Sequence, residues 1–252
     1  YDSGKVNATY FIAMEYVDGK TLATILKERG RFSPIHTCDI IAEIASALSF
    51  ANENGVVHRD IKPDNLMLMD DRTGIRMIDF GTARDLGTSG PDGQRAKTRI
   101  YTEGYAPPEQ VVGRPEVRSD LFALAGTLYH LATGKSPEGT TTGKEIHLKL
   151  EGKAQPAYPE QERWFWELIR INLSEDPSDR YFSARELARD LSNKELTKQS
   201  PCPICSTNVP VRTPYCNNCA AELTDLGNAC PDCGKTSRMG CRYCIECGGR
   251  IR

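Results

Sequence analysis

The sequence predicts an α+β chain: a mainly α-helical body with a few short strands near its start, followed by a small cysteine-rich domain. Three observations carry that reading. Apolar residues recur at three- and four-residue spacing over much of residues 20–192, as in helices with one buried face. Runs of β-branched and aromatic residues are short and lie within the first eighty positions. Nine of the ten cysteines fall after residue 200, separating a cysteine-poor body from a cysteine-dense tail. The length, 252 residues, suits one ordinary domain plus a small one, and 39% hydrophobic with 26% charged residues is the balance of a soluble globular protein. A formal net charge of -2 offers no global attraction for nucleic acid. No apolar run approaches the roughly 20 residues of a membrane-spanning helix; the longest, residues 121–132, contains His130.

Taken in order, Tyr10-Phe11-Ile12-Ala13-Met14-Glu15-Tyr16-Val17 is rich in β-formers and stops at Asp18-Gly19, a strand followed by a turn. Residues 21–29 read as a helix with Thr21 near its start and Gly30 past its end. Ser33-Pro34 opens the next helix as a cap and first-turn pair, with Ile40, Ile41, Ile44, Ala45 and Leu48 on its buried face and Asn54-Gly55 at its end. Cys38 falls inside that helix and reads as a core residue. Val56-Val57 then leads into a polar loop beginning at His58. Leu66-Met67-Leu68 and Arg76-Met77-Ile78 flank Asp70-Asp71-Arg72-Thr73-Gly74, a hairpin that presents Asp79 at its exit. Residues 82–101 are polar, contain Gly87, Gly90, Pro91 and Gly93, and read as a mobile loop. Helix resumes at Ser119-Asp120, with Leu121, Leu124, Leu128 and Leu131 ending at Gly134, and residues 160–171 and 184–191 supply further helices. His36, His130 and His147 have no partner at ligand spacing and read as packing or surface residues.

Asp60, Lys62, Asn65 and Asp79 carry the chemistry, within His58-Arg59-Asp60-Ile61-Lys62-Pro63-Asp64-Asn65 and Asp79-Phe80-Gly81. Moving a phosphoryl group takes oxygen ligands for magnesium, a cation for developing phosphate charge and a carboxylate to receive the acceptor proton. This set resembles the catalytic and metal-binding loops of eukaryotic-type (Hanks-type) protein kinases, and the Lys62-Pro63-x-Asn65 form resembles their serine/threonine branch. The resemblance implies a kinase-like fold whose helical lobe is residues 20–192, with residues 1–19 a remnant of the strand-rich lobe and hinge. It implies ATP and Mg2+ as cofactors: Asp79 and Asn65 on metal, Asp60 orienting the acceptor hydroxyl, Lys62 neutralising the transferring group. Met14-Glu15-Tyr16-Val17 resembles the hinge that reads adenine, through Met14, Glu15 and Val17, and Met67 is placed at the same nucleotide site.

Tyr105-Ala106-Pro107-Pro108-Glu109 resembles the end of the activation segment, which implies a buried ion pair between Glu109 and Arg180. Asp120 is similar to the aspartate that holds the catalytic loop through its backbone amides. Arg59 beside Asp60 implies regulation by a phosphate, with Thr98 and Thr102 as candidates and Thr102 also matching the threonine that meets substrate and Asp60. A complete kinase also carries a Gly-rich loop, a strand lysine and its glutamate partner. None is present in these residues, and with Tyr1 in first place the chain is expected to be an interior piece of a longer protein, with little phosphotransfer by itself.

In the tail, Cys202, Cys205, Cys216 and Cys219 follow Cys-x2-Cys-x10-Cys-x2-Cys, and Cys230, Cys233, Cys244 and Cys247 repeat it 28 residues later. Four thiolates satisfy tetrahedral zinc, and the two-residue gap suits a tight knuckle. The tail, residues 201–252, resembles a double zinc ribbon holding two structural Zn2+ ions; Cys241 falls outside the repeat. Residues 193–200 are the expected polar joint. Six Arg or Lys stand against four Asp or Glu in the tail, and two four-thiolate zinc sites would carry two net negative charges each, leaving it near -2. That disfavours phosphate-backbone binding and favours protein recognition or self-association. Paired Cys-x2-Cys units fit a reducing compartment, so the cytoplasm is the expected location. The first functional reading is a serine/threonine protein kinase acting on protein hydroxyls. The alternative is a pseudokinase scaffold working through its ribbons, disfavoured because a scaffold has no chemical need of all four loop residues; a nucleic-acid-binding regulator is the weakest.

Overall fold

A computed structural model describes residues 2–7, 9–70, 74–80, 84–85, 101–202, 204–205, 207–210, 215–216 and 218–221. The chain starts with an antiparallel hairpin, β1 (Asp2–Val6) on β2 (Thr9–Ala13). The strand expected through Val17 ends at Ala13, and residues 14–18 run on without a ladder to β3 (Gly19–Thr21). There Gly19 is required: a Cβ would lie 2.3 Å from the carbonyl oxygen of Leu68.

The caps work as their residue types dictate. Thr21 accepts the Thr24 amide to open α1 (Leu22–Arg29), and Gly30, at φ 77°, closes it. Ser33 accepts the His36 amide to open α2 (Pro34–Glu53), with Pro34 in the first turn, where a missing N–H costs nothing. The face expected to be buried is buried: Ile40, Ile41, Ile44, Ala45 and Leu48 all lie in the core with Cys38, whose thiol burial pushes up to about 12.

After β4 (Val56–Val57) and a 310 turn (Pro63–Asn65), β5 (Leu66–Met69) and β6 (Ile75–Met77) form the expected hairpin. The sequence had not suggested that β3 adds to its far side, giving the order β3-β5-β6. β7 (Arg84–Asp85) pairs with β4.

The remaining helices are α3 (Pro108–Val111), α4 (Val117–Thr133), α5 (Thr140–Leu150), α6 (Arg163–Asn172) and α7 (Ala184–Asn193). α4 begins two residues before the expected Ser119, because Glu116 and Ser119 form a reciprocal capping box, and it ends at Gly134 in the left-handed conformation. The helix expected from residue 160 opens as a separate 310 turn (Glu160–Glu162). α3 and α5 had not been expected. Leu48, Leu121, Leu124, Leu128, Phe165, Ile169 and Leu187 gather from four helices into one buried cluster. Each contributes about 1.5–3 kcal/mol by leaving water.

The expected joint is tied down at two points. Buried Asp190 accepts Thr197 through its backbone amide at 2.8 Å and its hydroxyl at 2.5 Å. Lys198 donates to the carbonyls of Asp179, at 2.6 Å, and Arg180. Next come β8 (Gln199–Pro201) and β9 (Asn208–Pro210), an antiparallel pair. Among the described residues no helix is long and apolar enough to cross a membrane.

Candidate functional site

The loop between β4 and β5 is fixed at its backbone before any side chain acts. Asp120, wholly buried at the start of α4, accepts the amides of His58 at 2.9 Å and Arg59 at 2.8 Å. Burial raises its carboxyl pKa, and those two N–H bonds pull it back. The Asp60 amide donates to His58 Nδ1 at 3.3 Å, which leaves Nε2 to donate to the carbonyl of Ile78 at 3.2 Å. Arg59 (φ 71°) and Asp79 (φ 61°) both take the left-handed conformation, which non-glycine residues adopt at a cost and which recurs where a site dictates geometry.

Three groups converge on Asp60. Thr102 Oγ1 donates to Oδ1 at 2.7 Å, while Asn65 Nδ2 and Lys62 Nζ each lie 2.8 Å from Oδ2. Lys62 also donates to Thr102 Oγ1 at 2.8 Å. Burial pushes the Asp60 carboxyl up, but the bonds from Lys62, Thr102 and Asn65 outweigh it and hold the pKa below the ordinary value. Asp60 is therefore ionised at neutral pH, an acceptor with one oxygen aimed at a hydroxyl and an ammonium against the other.

The Asn65 amide gives Nδ2 to both the carbonyl and the carboxylate of Asp60, so its Oδ1 is the atom left for a ligand. Its own carbonyl accepts the Ile78 amide at 2.9 Å, which seats exposed Asp79 one residue further along the adjoining loop. Two hard oxygen donors on neighbouring loops suit magnesium. On the expected nucleotide side, Met14 and Glu15 are exposed and Val17 half-buried in the stretch before β3, and half-buried Met67 lies in β5 opposite Thr21.

The opposite wall is residues 101–110. Glu109 receives a forked pair from Arg180, Nη1 at 2.6 Å and Nη2 at 3.0 Å, with the Arg180 side chain fully buried. Ser119 donates to Glu109 at 2.7 Å, and Gln110 Nε2 donates to the Arg59 carbonyl at 2.7 Å. Gly104 must be glycine, since a Cβ would sit 2.0 Å from the Pro137 carbonyl oxygen. Sequence reasoning missed Ser119 and Gln110 as site residues: Ser119 reads locally as a helix-start residue, and the partner of Gln110 lies 51 residues away. Thr98 lies outside the described residues. His130 and His147 are surface or packing residues with partners, Tyr105 Oη at 2.5 Å and Glu151 at 3.1 Å.

In the tail, the sulfurs of Cys202, Cys205, Cys216 and Cys219 lie within 4.8 Å of one another, with Cys202–Cys219 at 3.7 Å and Cys205–Cys216 at 3.6 Å. Ligands 2.3 Å from a tetrahedral zinc would stand roughly 3.8 Å apart, whereas a disulfide would need about 2.05 Å. The donor set therefore fits zinc. Cys230, Cys233, Cys244 and Cys247 lie outside the described residues.

A family model described as protein kinase domain matches residues 1–191. A probable serine/threonine-protein kinase of Clostridium acetobutylicum is 37% identical over 200 residues, 77% of this chain and 30% of that protein. The serine/threonine-protein kinase PknB of Mycobacterium tuberculosis is 30% identical over 233 residues, 89% of this chain and 37% of PknB. The chain thus spans about a third of the length of these relatives. The crystal structure of the Mycobacterium tuberculosis PknI kinase domain superposes with a TM-score of 0.54 at 23% identity, covering 77% of this chain and 70% of that one, a likeness of fold.

Proposed function

This chain belongs to the protein kinase family, and we propose that it performs the phosphoryl-transfer chemistry of a serine/threonine kinase, moving the γ-phosphate of ATP to protein hydroxyls. One observation carries the reading: a protein hydroxyl, that of Thr102, already lies 2.7 Å from Asp60 and 2.8 Å from Lys62. An acceptor serine or threonine entering there would meet the same carboxylate. Because the Asp60 pKa is depressed, Asp60 orients the hydroxyl and takes its proton late, once bonding to phosphorus has made that proton acidic. Lys62 neutralises charge on the transferring group. Asn65 Oδ1 and the Asp79 carboxylate would hold magnesium, which supplies charge neutralisation on the phosphates. Met14, Glu15, Val17 and Met67 would form the adenine side.

Arg59 would pair with a phosphate on Thr98 and order the activation segment. The tail, with residues 193–200 as its joint, would bind two zinc ions, the second through Cys230, Cys233, Cys244 and Cys247 by the repeat. Its charge near -2 supports a protein partner or self-association over a phosphate backbone, and its thiolates a reducing cytoplasm.

The test is phosphate transfer to protein serine and threonine by the full-length protein. Asp79→Asn is expected to lower kcat by about a hundredfold or more and Thr98→Ala several-fold. The 252 residues alone, which contain no Gly-x-Gly-x-x-Gly, are expected to transfer weakly. Full activity of Asp79→Asn would show that this site does not carry the transfer, and no transfer by the parent protein would return the reading to a scaffold.

A further inference from the structure

Five backbone polar groups around the turn into Asp60 have named partners, and two elements distant in sequence, α4 and α3, supply three of them. The His58 and Arg59 amides go to Asp120, the Asp60 amide to His58, and the Asp60 carbonyl accepts Asn65. The Arg59 carbonyl accepts Gln110 Nε2 at 2.7 Å, 51 residues away in α3. Only the amide nitrogen can face a carbonyl, so the orientation of Gln110 is fixed by chemistry. Gln110 directly follows Glu109, which the buried Arg180 and Ser119 hold at 2.6–3.0 Å. Arg59 itself is held at φ 71°, the conformation that turns the chain so that Asp60 reaches Thr102 and Lys62.

We propose that Gln110 is a positioning residue for transfer: it couples the seated end of residues 101–110 to the peptide that aims Asp60, so that the carboxylate is aligned when that segment is docked. This rests on the transfer reading above. Thr102 meets Asp60 at the segment's start and Gln110 meets the preceding carbonyl at its end, so the acceptor wall and the carboxylate move as one body. A group held this way loses alignment, and not substrate affinity, when the clamp is cut.

The experiment measures peptide phosphorylation by the full-length protein with Gln110→Met, which keeps length and removes the donor, and Gln110→Glu, which keeps shape. Gln110→Met is expected to lower kcat about ten- to a hundredfold, with KM for ATP within about twofold. An ionised Gln110→Glu carboxylate has no proton for the carbonyl, but a protonated one does. Its kcat relative to the parent should therefore climb as pH falls toward about 4–5, even if Gln110→Met does not fold. Val112→Ala, on an exposed neighbour, serves as the unaffected control. Values within twofold of the parent for both Gln110 variants, or losses that track the melting temperature and are flat with pH, overturn the proposal. Activity surviving Asp60→Asn would instead defeat the transfer reading.

Discussion

In the body, Leu48, Leu124, Leu128, Phe165 and Leu187 lie fully buried in one cluster, whereas the described tail buries only Cys202, Val209 and Cys216, with Cys205 and Ala221 packed against them. Ordering a residue costs about 1–2 kcal/mol of backbone entropy, which the body's apolar burial can offset and the three small side chains buried among the described tail residues cannot. The same chain thus holds one region by excluding water and the other, on the zinc reading, by metal–thiolate bonds. Each should fail under a treatment the other survives.

The largest separation is expected from a strong chelator. On the zinc reading, structural zinc is worth about 10–16 kcal/mol in comparable small sites, so its removal should unfold the tail around Cys202, Cys205, Cys216 and Cys219 and expose those thiols to a thiol reagent. The melting transition of the body should stay within about 2 °C, and a single shared unfolding event on chelation would break the contrast. Next in size is Glu109→Ala. It strands the buried Arg180 guanidinium and should cost the body about 3–5 kcal/mol in urea unfolding, with tail thiol reactivity unchanged.

The smallest effect lies at the seam. Burial lowers Lys198 to about 8, with Asp179 and Glu186 opposing and Arg118 and Arg170 adding to the shift. Between that value and the ordinary 10.5 the unfolded chain binds more protons, so stability should rise as pH climbs through this window. Lys198→Met should flatten that rise; an unchanged slope would show that Lys198 does not report the seam.

What was legible in the sequence was local or came as a motif. Thr21, Ser33-Pro34 and Gly134 announce helix ends because cap chemistry acts within four residues, and the face from Ile40 to Leu48 follows from a period alone. The four loop residues and the Glu109–Arg180 pair were found by family resemblance. α5 was missed because its first turn is Thr-Thr-Thr-Gly, and its buried positions Thr142, Gly143, Ile146 and Leu150 include two residues that carry no apolar signal. β3 escaped as three residues whose ladder depends on Gly19 lying against Leu68. Gln110 was invisible for a different reason: its partner, 51 residues away, is chosen by tertiary approach, which no spacing encodes.

On the transfer reading, Asp60 directs phosphate onto a hydroxyl. The most direct test is single-turnover transfer from ATP to a serine or threonine substrate by the full-length protein, parent against Asp60→Asn, at equal ATP occupancy. The geometry predicts a loss of about 10²–10⁴-fold with nucleotide binding intact; an Asp60→Asn rate equal to the parent's would contradict it.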